Sequence, residues 1–252
     1  MFDTKYTYAV ARIRALETGL FTSSVIEQLL ACDTEQQCLQ LIQEKGWGDA
    51  DTPLNAEAIL SREQEKIWET IRELGVDMSV FDVLSYPNLF HNLKAAVKDA
   101  CTQEDGRTMN IYYEDTAIPA DEMLEIIRSK DFSRLPENMA AAARDAYETL
   151  LHTRDGQLCD VIIDKAALEA IYEAGKAAKD SIIRDYAESV VAVADIKIAV
   201  RAQKTAKSID FMKRAMAPCQ SLNVDQLARA AVSGMDAITE YLAGTAYAEG
   251  AA

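Results

Sequence analysis

The side chains that commonly do chemistry are few and poorly arranged for it in this sequence. The two histidines, His91 and His152, form no HExxH pattern, and neither has a glutamate three residues before it, as a helical di-iron site requires. The five cysteines are scattered and form no CxxC pair, which favours reduced, structural thiols. GxxxxGK[ST], GxGxxG and GxSxG are all absent. The sequence therefore predicts no catalytic residues, no metal and no cofactor.

Basic residues concentrate between positions 196 and 214, a segment that contains six of them and a single acidic residue, Asp210. The first four are spaced 4, 3 and 3 residues apart, which would place them along one stripe of a helix. One reading is a solvated face that balances the acidic first half of the chain. The other is a docking stripe for an acidic protein partner, with four candidate residues. The four candidates are Lys197, Arg201, Lys204 and Lys207, and the other two basic residues of the segment are Lys213 and Arg214.

The overall charge narrows the class of partner. The 252 residues carry a net charge of −15, which disfavours non-specific binding to nucleic acid and docking to anionic membranes. No apolar run approaches the ~20 residues of a membrane-spanning helix. With no signal peptide evident, we expect a cytoplasmic protein whose connection to a membrane is made through a partner.

The elements that must carry these residues are predicted to be helices. Only 10 glycines and 5 prolines interrupt a chain that is 49% hydrophobic. Capping signals begin helices at Ser24, Asp33 and Asn55, and Pro87 is expected to begin another. Residues 157–207 are nearly uninterrupted and are expected to form two or three helices, with Gly175 as the only breaker. The connector 103–118 is the best candidate domain boundary, and it holds the only candidate strand, 109–113.

The sequence also resembles itself at an offset of 103 residues. Residues 82–98 align with 185–201, so that Asn92-Leu93-Lys94 matches Asp195-Ile196-Lys197, and Ala96-Val97-Lys98 matches Ala199-Val200-Arg201. Each copy places two cations four residues apart on one face of a helix. A third copy would begin near Ser208, and the 48 residues after Lys204 are under half of the offset. We therefore expect repeats at 1–104 and 105–207 and the start of a short or cut third repeat at 208–252.

Four segments occur in a characteristic order: YTYAVARIRALETGLFTSSVIEQLLACDTEQQCLQLIQEKGWG, FHNLKAAVK, VADIKIAVRAQK and SIDFMKRAMAP. Taken together, they resemble the C-subunit family of the V-type or A-type ATPase, which is related to the d subunit of the eukaryotic enzyme. The resemblance implies an all-α fold of three pseudo-symmetric helical repeats arranged as a funnel. It also implies a non-catalytic adaptor that links the central stalk to the membrane rotor ring and transmits torque.

Two alternatives from other classes remain at this stage. A generic α-helical repeat scaffold would offer one concave surface and no rotor partners. A helical enzyme would show a deep pocket with converging, strongly perturbed ionisable groups.

Overall fold

The computed structural model of the chain describes residues 6–101 and 112–251. The chain divides into two compact units, Met1–Met78 and Ser79–Ala252. Within the described ranges every regular element is helical, which confirms the predicted all-α class. The first unit contains α1 (Thr7–Glu17), α2 (Ser23–Leu30), α3 (Glu35–Glu44) and α4 (Ala56–Glu73). The second contains α5 (Asp82–Cys101), α6 (Ala120–Ser129), α7 (Glu137–Thr153), α8 (Gly156–Ala177), α9 (Ser181–Lys204), α10 (Ile209–Ala215), α11 (Val224–Ser233), α12 (Met235–Ala243) and α13 (Ala248–Ala251). Two short 3-10 helices, Met78–Phe81 and Phe132–Arg134, also lie in the described part of the chain.

Polar caps begin the helices of the first unit. Asn55 accepts a hydrogen bond from the backbone N–H of Ala58 at 2.8 Å, as its side chain was expected to do. The caps predicted at Ser24 and Asp33 are displaced. Thr22 and Thr34 cap α2 and α3 instead, because each lies in extended backbone three residues before the N–H that it accepts.

The first unit buries few side chains. Among its described residues only Leu39 and Ile59 are buried. A network of charges around Arg62 joins α4 to the loop before it, where Asp49 accepts a hydrogen bond from the guanidinium. Lys66 adds a bond to the carbonyl of Gly48 at 2.8 Å. Such exposed pairs each contribute little to the free energy of unfolding.

Helices α5 to α8 share one hydrophobic core in the second unit, to which each contributes large buried side chains. Pro87 does not begin α5, as the sequence suggested, but lies within it, because the helix already starts at Asp82. A proline in the second turn removes a single N–H donor near the helix end, which the remaining turns tolerate. The residues that fill this core include Leu93, Met123, Ile127, Met139 and Ile163.

A second core lies between α9 and helices α10, α11 and α12. Small side chains of α9, such as Ala192 and Ala199, are fully buried in it. Met212, Leu227 and Ile238 approach them from α10, α11 and α12. Because alanines line α9, the neighbouring helices can pack close to its backbone.

Gly175 lies inside α8 and does not break it, contrary to the sequence-based expectation. A Cβ built on this glycine would overlap the Cβ of Ala187 on α9, so the missing side chain is what lets the two helices touch. The break comes after it, where Ala178 is extended and Asp180 caps α9 through the N–H of Ile182. Residues 157–207 therefore hold two long helices, as expected, with the division three residues later than the glycine.

The connector 103–118 is only partly described. Residues 109–111 of the predicted strand lie outside the described residues, and Tyr112 and Tyr113 lie in an irregular segment. Helices α5 and α6, on either side of it, contribute to the same core. The repeat boundaries at 104 and 207 remain predictions.

Candidate partner-binding surface

Three of the four predicted docking residues lie on α9. Lys197, Arg201 and Lys204 are exposed, and their spacing places them on one face of the helix. Within residues 6–101 and 112–251 no ion pair or hydrogen bond holds any of the three side chains. A charge that is not neutralised within its own chain remains available to an acidic partner.

Lys207 does not continue this face, because α9 ends at Lys204. Ala206 adopts a left-handed backbone with φ 50°, and the N–H of Lys207 bonds back to the carbonyl of Ala202 at 2.9 Å. The Lys207 ammonium then donates to Gln157 of α8 at 2.7 Å. It also lies 4.9 Å from the centroid of the Phe211 ring. The predicted stripe of four is thus a stripe of three, with Lys207 turned toward α8.

The later basic residues border a depression of about 700 Å³ between the start of α8 and α10. Most of its cations have internal partners. Lys213 lies 2.6 Å from a carboxylate oxygen of Asp225, and Lys165 donates to the carbonyl of Lys213 at 3.3 Å. The depression is lined by Asp155, Gln157, Leu158, Lys165, Lys207, Ser208, Asp210, Phe211, Lys213 and Arg214. Because its charges are mixed and largely paired, the α9 face is the stronger docking candidate.

The cations of α5 at the matching positions are paired. The ammonium of Lys94 lies 2.5 Å from Asp164, and that of Lys98 lies 2.6 Å from Asp160, both on α8. One helical turn separates the two cations on α5 and the two carboxylates on α8, so the pairs form a two-step ladder between antiparallel helices. The corresponding cations of α9 have no such ladder among the described residues.

A buried polar side chain lies near the middle of each helix, at positions that also match. Asn92 accepts from the N–H of Tyr113 at 2.8 Å and donates to the carbonyl of Tyr113 at 2.8 Å and to Thr116 at 3.1 Å. Asp195 accepts from the N–H of Ala217 at 3.1 Å. Both side chains have no exposed surface. Each therefore fixes the chain segment that precedes the next amphipathic helix, α6 or α11.

The two buried groups differ in their chemistry. Burial raises the pKa of Asp195 from its usual value near 3.8 to about 7, against the lowering effects of the Ala217 N–H and of Lys165. Its second oxygen has no hydrogen-bond partner among the described residues.

The pKa of Glu188, two turns earlier on α9, is shifted in the opposite direction. Burial raises its pKa, but bonds from Ser221 and Gln220 outweigh burial and lower the pKa below its usual value.

No reactive cluster emerges from the other candidate residues. The described residues hold no group of three or more His, Cys, Asp or Glu side chains placed to bind a metal. His91 packs edge-on to Tyr113 with 5.0 Å between the ring centroids, and His152 lies in the last turn of α7. Burial raises the pKa of the Cys159 thiol to about 12, which makes it a poor nucleophile.

The family described as ATP synthase (C/AC39) subunit matches residues 9–252 of this chain. The chain belongs to this family. The match covers both compact units and so includes α5, α9 and the basic face. Proteins of this family are subunits of a rotary ATPase and are not its catalytic subunit.

A curated relative supports the same assignment. The C subunit of the V-type sodium ATPase of Enterococcus hirae is 21% identical over 244 residues, which are 94% of this chain and 73% of the relative. In the described part of the chain, no helix is both long enough and apolar enough to cross a membrane. A non-catalytic subunit of such a complex acts through the surfaces that contact its partner subunits.

Sequence reasoning missed two features of helices α5 and α9. It aligned Asn92 with Asp195 but gave no sign that both are buried, since a polar residue on a helix usually faces solvent. It also treated the basic residues alone and overlooked the apolar residues that precede them on α9. The spacing of Tyr186 and Val193 ahead of Lys197 was the available signal.

Proposed function

We propose that this chain is a central-rotor adaptor of a V-type or A-type ATPase. In this role it links the central stalk to the membrane rotor ring, on the cytoplasmic side of the membrane, and transmits torque between them without catalysing a reaction. The observation that carries the proposal is the family match across residues 9–252. The curated relative, which is named as the C subunit of a V-type sodium ATPase, supports the same proposal.

The packing of the second unit suits a part that must transmit force. Long helices share two apolar cores, and α8 meets α9 without a spacer at Gly175. Close-packed interiors have low compressibility, so a twist applied at one end of such a stack is passed on with little slack.

The α9 face supplies a surface on which a partner could be held. Lys197, Arg201 and Lys204 are exposed and unpaired among the described residues, and they stand out in a chain with a net charge of −15. We assign them to binding of the stalk. An acidic surface on the stalk would be attracted to them, and the attraction would weaken as salt increases.

The test is co-purification of the full chain with the stalk subunits and the rotor ring from membranes that contain the ATPase. We expect all three to be retained together at low salt. The triple variant K197E/R201E/K204E should lose the stalk at lower salt than the wild type. The control K45E/K179E/R229E makes the same change of charge at exposed positions outside the basic segment and should retain the stalk.

Two results would count against the proposal. A clean failure of the wild-type chain to co-purify with either partner would remove the adaptor role and leave a helical scaffold of the family fold. Equal salt dependence for the wild type and the α9 triple variant would remove the basic face as the stalk-binding site.

A further inference from the structure

Two thiols of the first unit, those of Cys32 and Cys38, lie side by side at the C-terminal end of α2. The backbone N–H of Cys32 donates to the carbonyl of Leu29 at 3.3 Å, and the thiol of Cys38 donates to the same carbonyl at 3.4 Å. The thiol of Cys32 donates to the carbonyl of Gln28, one residue earlier, at 3.4 Å. The two sulfur atoms are thereby held close together, and the two side chains form a hydrogen bond.

The turn between α2 and α3 positions both cysteines. Thr34 caps α3 by accepting from the N–H of Gln37, and the side chain of Gln37 accepts from the N–H of Asp33 at 3.0 Å. Cys38 therefore lies in the first turn of α3, where its thiol reaches back to α2. The reversal of the chain brings together two cysteines whose spacing in the sequence matches no recognised thiol motif.

These two thiols are also accessible to a small reagent. Cys32 and Cys38 are both partly exposed, whereas Cys159 is fully buried. Cys101 and Cys219 are partly exposed as well, but in the described part of the chain neither forms a hydrogen bond with another cysteine. Whichever of Cys32 and Cys38 reacts first thus has a second thiol beside it, which is the arrangement that thiol–disulfide exchange requires.

We propose that Cys32 and Cys38 form a reversible disulfide bond, with a small-molecule disulfide such as glutathione disulfide as the oxidant. The thiolate of one cysteine attacks a sulfur atom of the oxidant, which releases one glutathione thiolate and leaves a mixed disulfide on the protein. The thiolate of the other cysteine then attacks the protein sulfur of that mixed disulfide and releases the second glutathione. The protein loses two protons and two electrons, and glutathione disulfide gains them as it becomes two thiols.

The bond would constrain helices that have little apolar packing to hold them. Helix α2 contains no buried residue, and the single buried residue of α3 is Leu39, directly after Cys38. Helices with so few buried contacts open locally at low cost. A covalent link between the end of α2 and the first turn of α3 reduces the conformations available to the opened state, so oxidation stiffens this pair of helices.

The test is oxidation of the full-length chain with glutathione disulfide, followed by alkylation of the remaining thiols with N-ethylmaleimide. Burial and the thiol of Cys38 raise the pKa of Cys32, so the thiolate is scarce at neutral pH and the reaction is followed to completion. Cleavage on the carboxyl side of glutamate then releases residues 28–35 and 36–44, each with one of the two cysteines. We expect mass spectrometry to find these two peptides joined by a disulfide that dithiothreitol cleaves.

Two variants separate this pair from the other thiols. Cys38→Ser should abolish the joined peptides, while its hydroxyl can still donate to the carbonyl of Leu29. The control C101S/C219S removes two other partly exposed thiols and should give the joined peptides as the wild type does. Circular dichroism establishes that each variant keeps its helical content.

Amide hydrogen exchange measures the stiffening. Exchange in α2 should slow at least about tenfold on oxidation, with exchange in α8 unchanged as the internal reference. Absence of the joined peptides, glutathione retained on either cysteine in their place, disulfides between two chains, or an unaltered exchange rate in α2 would each overturn the proposal. These outcomes are independent of co-purification with the stalk and the ring, which tests the adaptor role alone.

Discussion

Helices α5 and α9 each hold a distant chain segment through a side chain near the middle of the helix, but that side chain is an amide in α5 and a carboxyl in α9. Each holds a segment that leads into a later helix, α6 or α11, through a buried polar side chain, Asn92 in α5 and Asp195 in α9. The amide of Asn92 makes three hydrogen bonds and carries no charge. The carboxyl of Asp195 makes one, and its second oxygen has no partner among the described residues. The first arrangement should be insensitive to pH, whereas the second binds a proton more tightly when folded.

The largest expected effect comes from removing the better-satisfied of the two side chains. Asn92→Ala should lower the free energy of unfolding by about 3 kcal/mol, because it deletes three hydrogen bonds and leaves backbone groups of Tyr113 without them. Urea unfolding at pH 5 and pH 8 should give the same loss. A loss below about 1 kcal/mol would mean that water replaces the amide at little cost.

The second prediction concerns Asp195 and has the opposite sign. Its raised pKa means that the carboxyl favours folding most below about pH 4 and loses that contribution as the pH rises to about 7. At pH 8, Asp195→Asn should therefore be more stable than the wild type by about 2 kcal/mol, and the difference should shrink toward pH 5. The measurement is the free energy of unfolding of both proteins across this range.

The reciprocal change sharpens the comparison. Asn92→Asp places a carboxyl in the α5 site and should create a pH dependence of the same sign, with greater destabilisation at pH 8 than at pH 5. If the pH profiles of Asn92→Asp and the wild type run parallel, the difference between the two helices does not depend on the ionisable group.

Another prediction tests the close contact between α8 and α9. Gly175→Ala brings a methyl group against Ala187 and should lower the free energy of unfolding by about 1–2 kcal/mol, even after the gain in helix propensity. Gly156→Ala is the matched control at the start of α8, where a Cβ meets nothing within 4 Å. Thermal unfolding of the two variants compares them, and equal stability would show that the helices separate without cost.

The smallest expected effect concerns the cations of the two helices. Lys94→Ala with Lys98→Ala should cost about 1 kcal/mol, because both side chains are paired with α8 and are only partly exposed. Lys197→Ala with Arg201→Ala should change the stability of the isolated chain by less than about 0.5 kcal/mol. Urea unfolding of the two double variants tests this contrast. A cost at α9 equal to that at α5 would mean that its cations have partners within the chain.

The particular residues show why prediction succeeded for some features and not for others. Asn55 was recognised as a cap because capping depends on a few neighbouring residues. Pro87 and Gly175 were assigned to helix ends on equally local grounds, but both lie inside helices. Their positions depend on an earlier start at Asp82 and on contact with Ala187, and neither is a local property.

The sequence by itself determined that the protein is helical, that it has no recognisable catalytic motif, and that the cations of α9 recur at helical spacing. It also contained enough ordered resemblance to indicate the family that the comparison then established. Tertiary structure alone decided that Lys207 turns toward α8 and that Asp195 is buried. Helical periodicity is a local property that a sequence displays directly, whereas burial depends on which distant helix packs against each face.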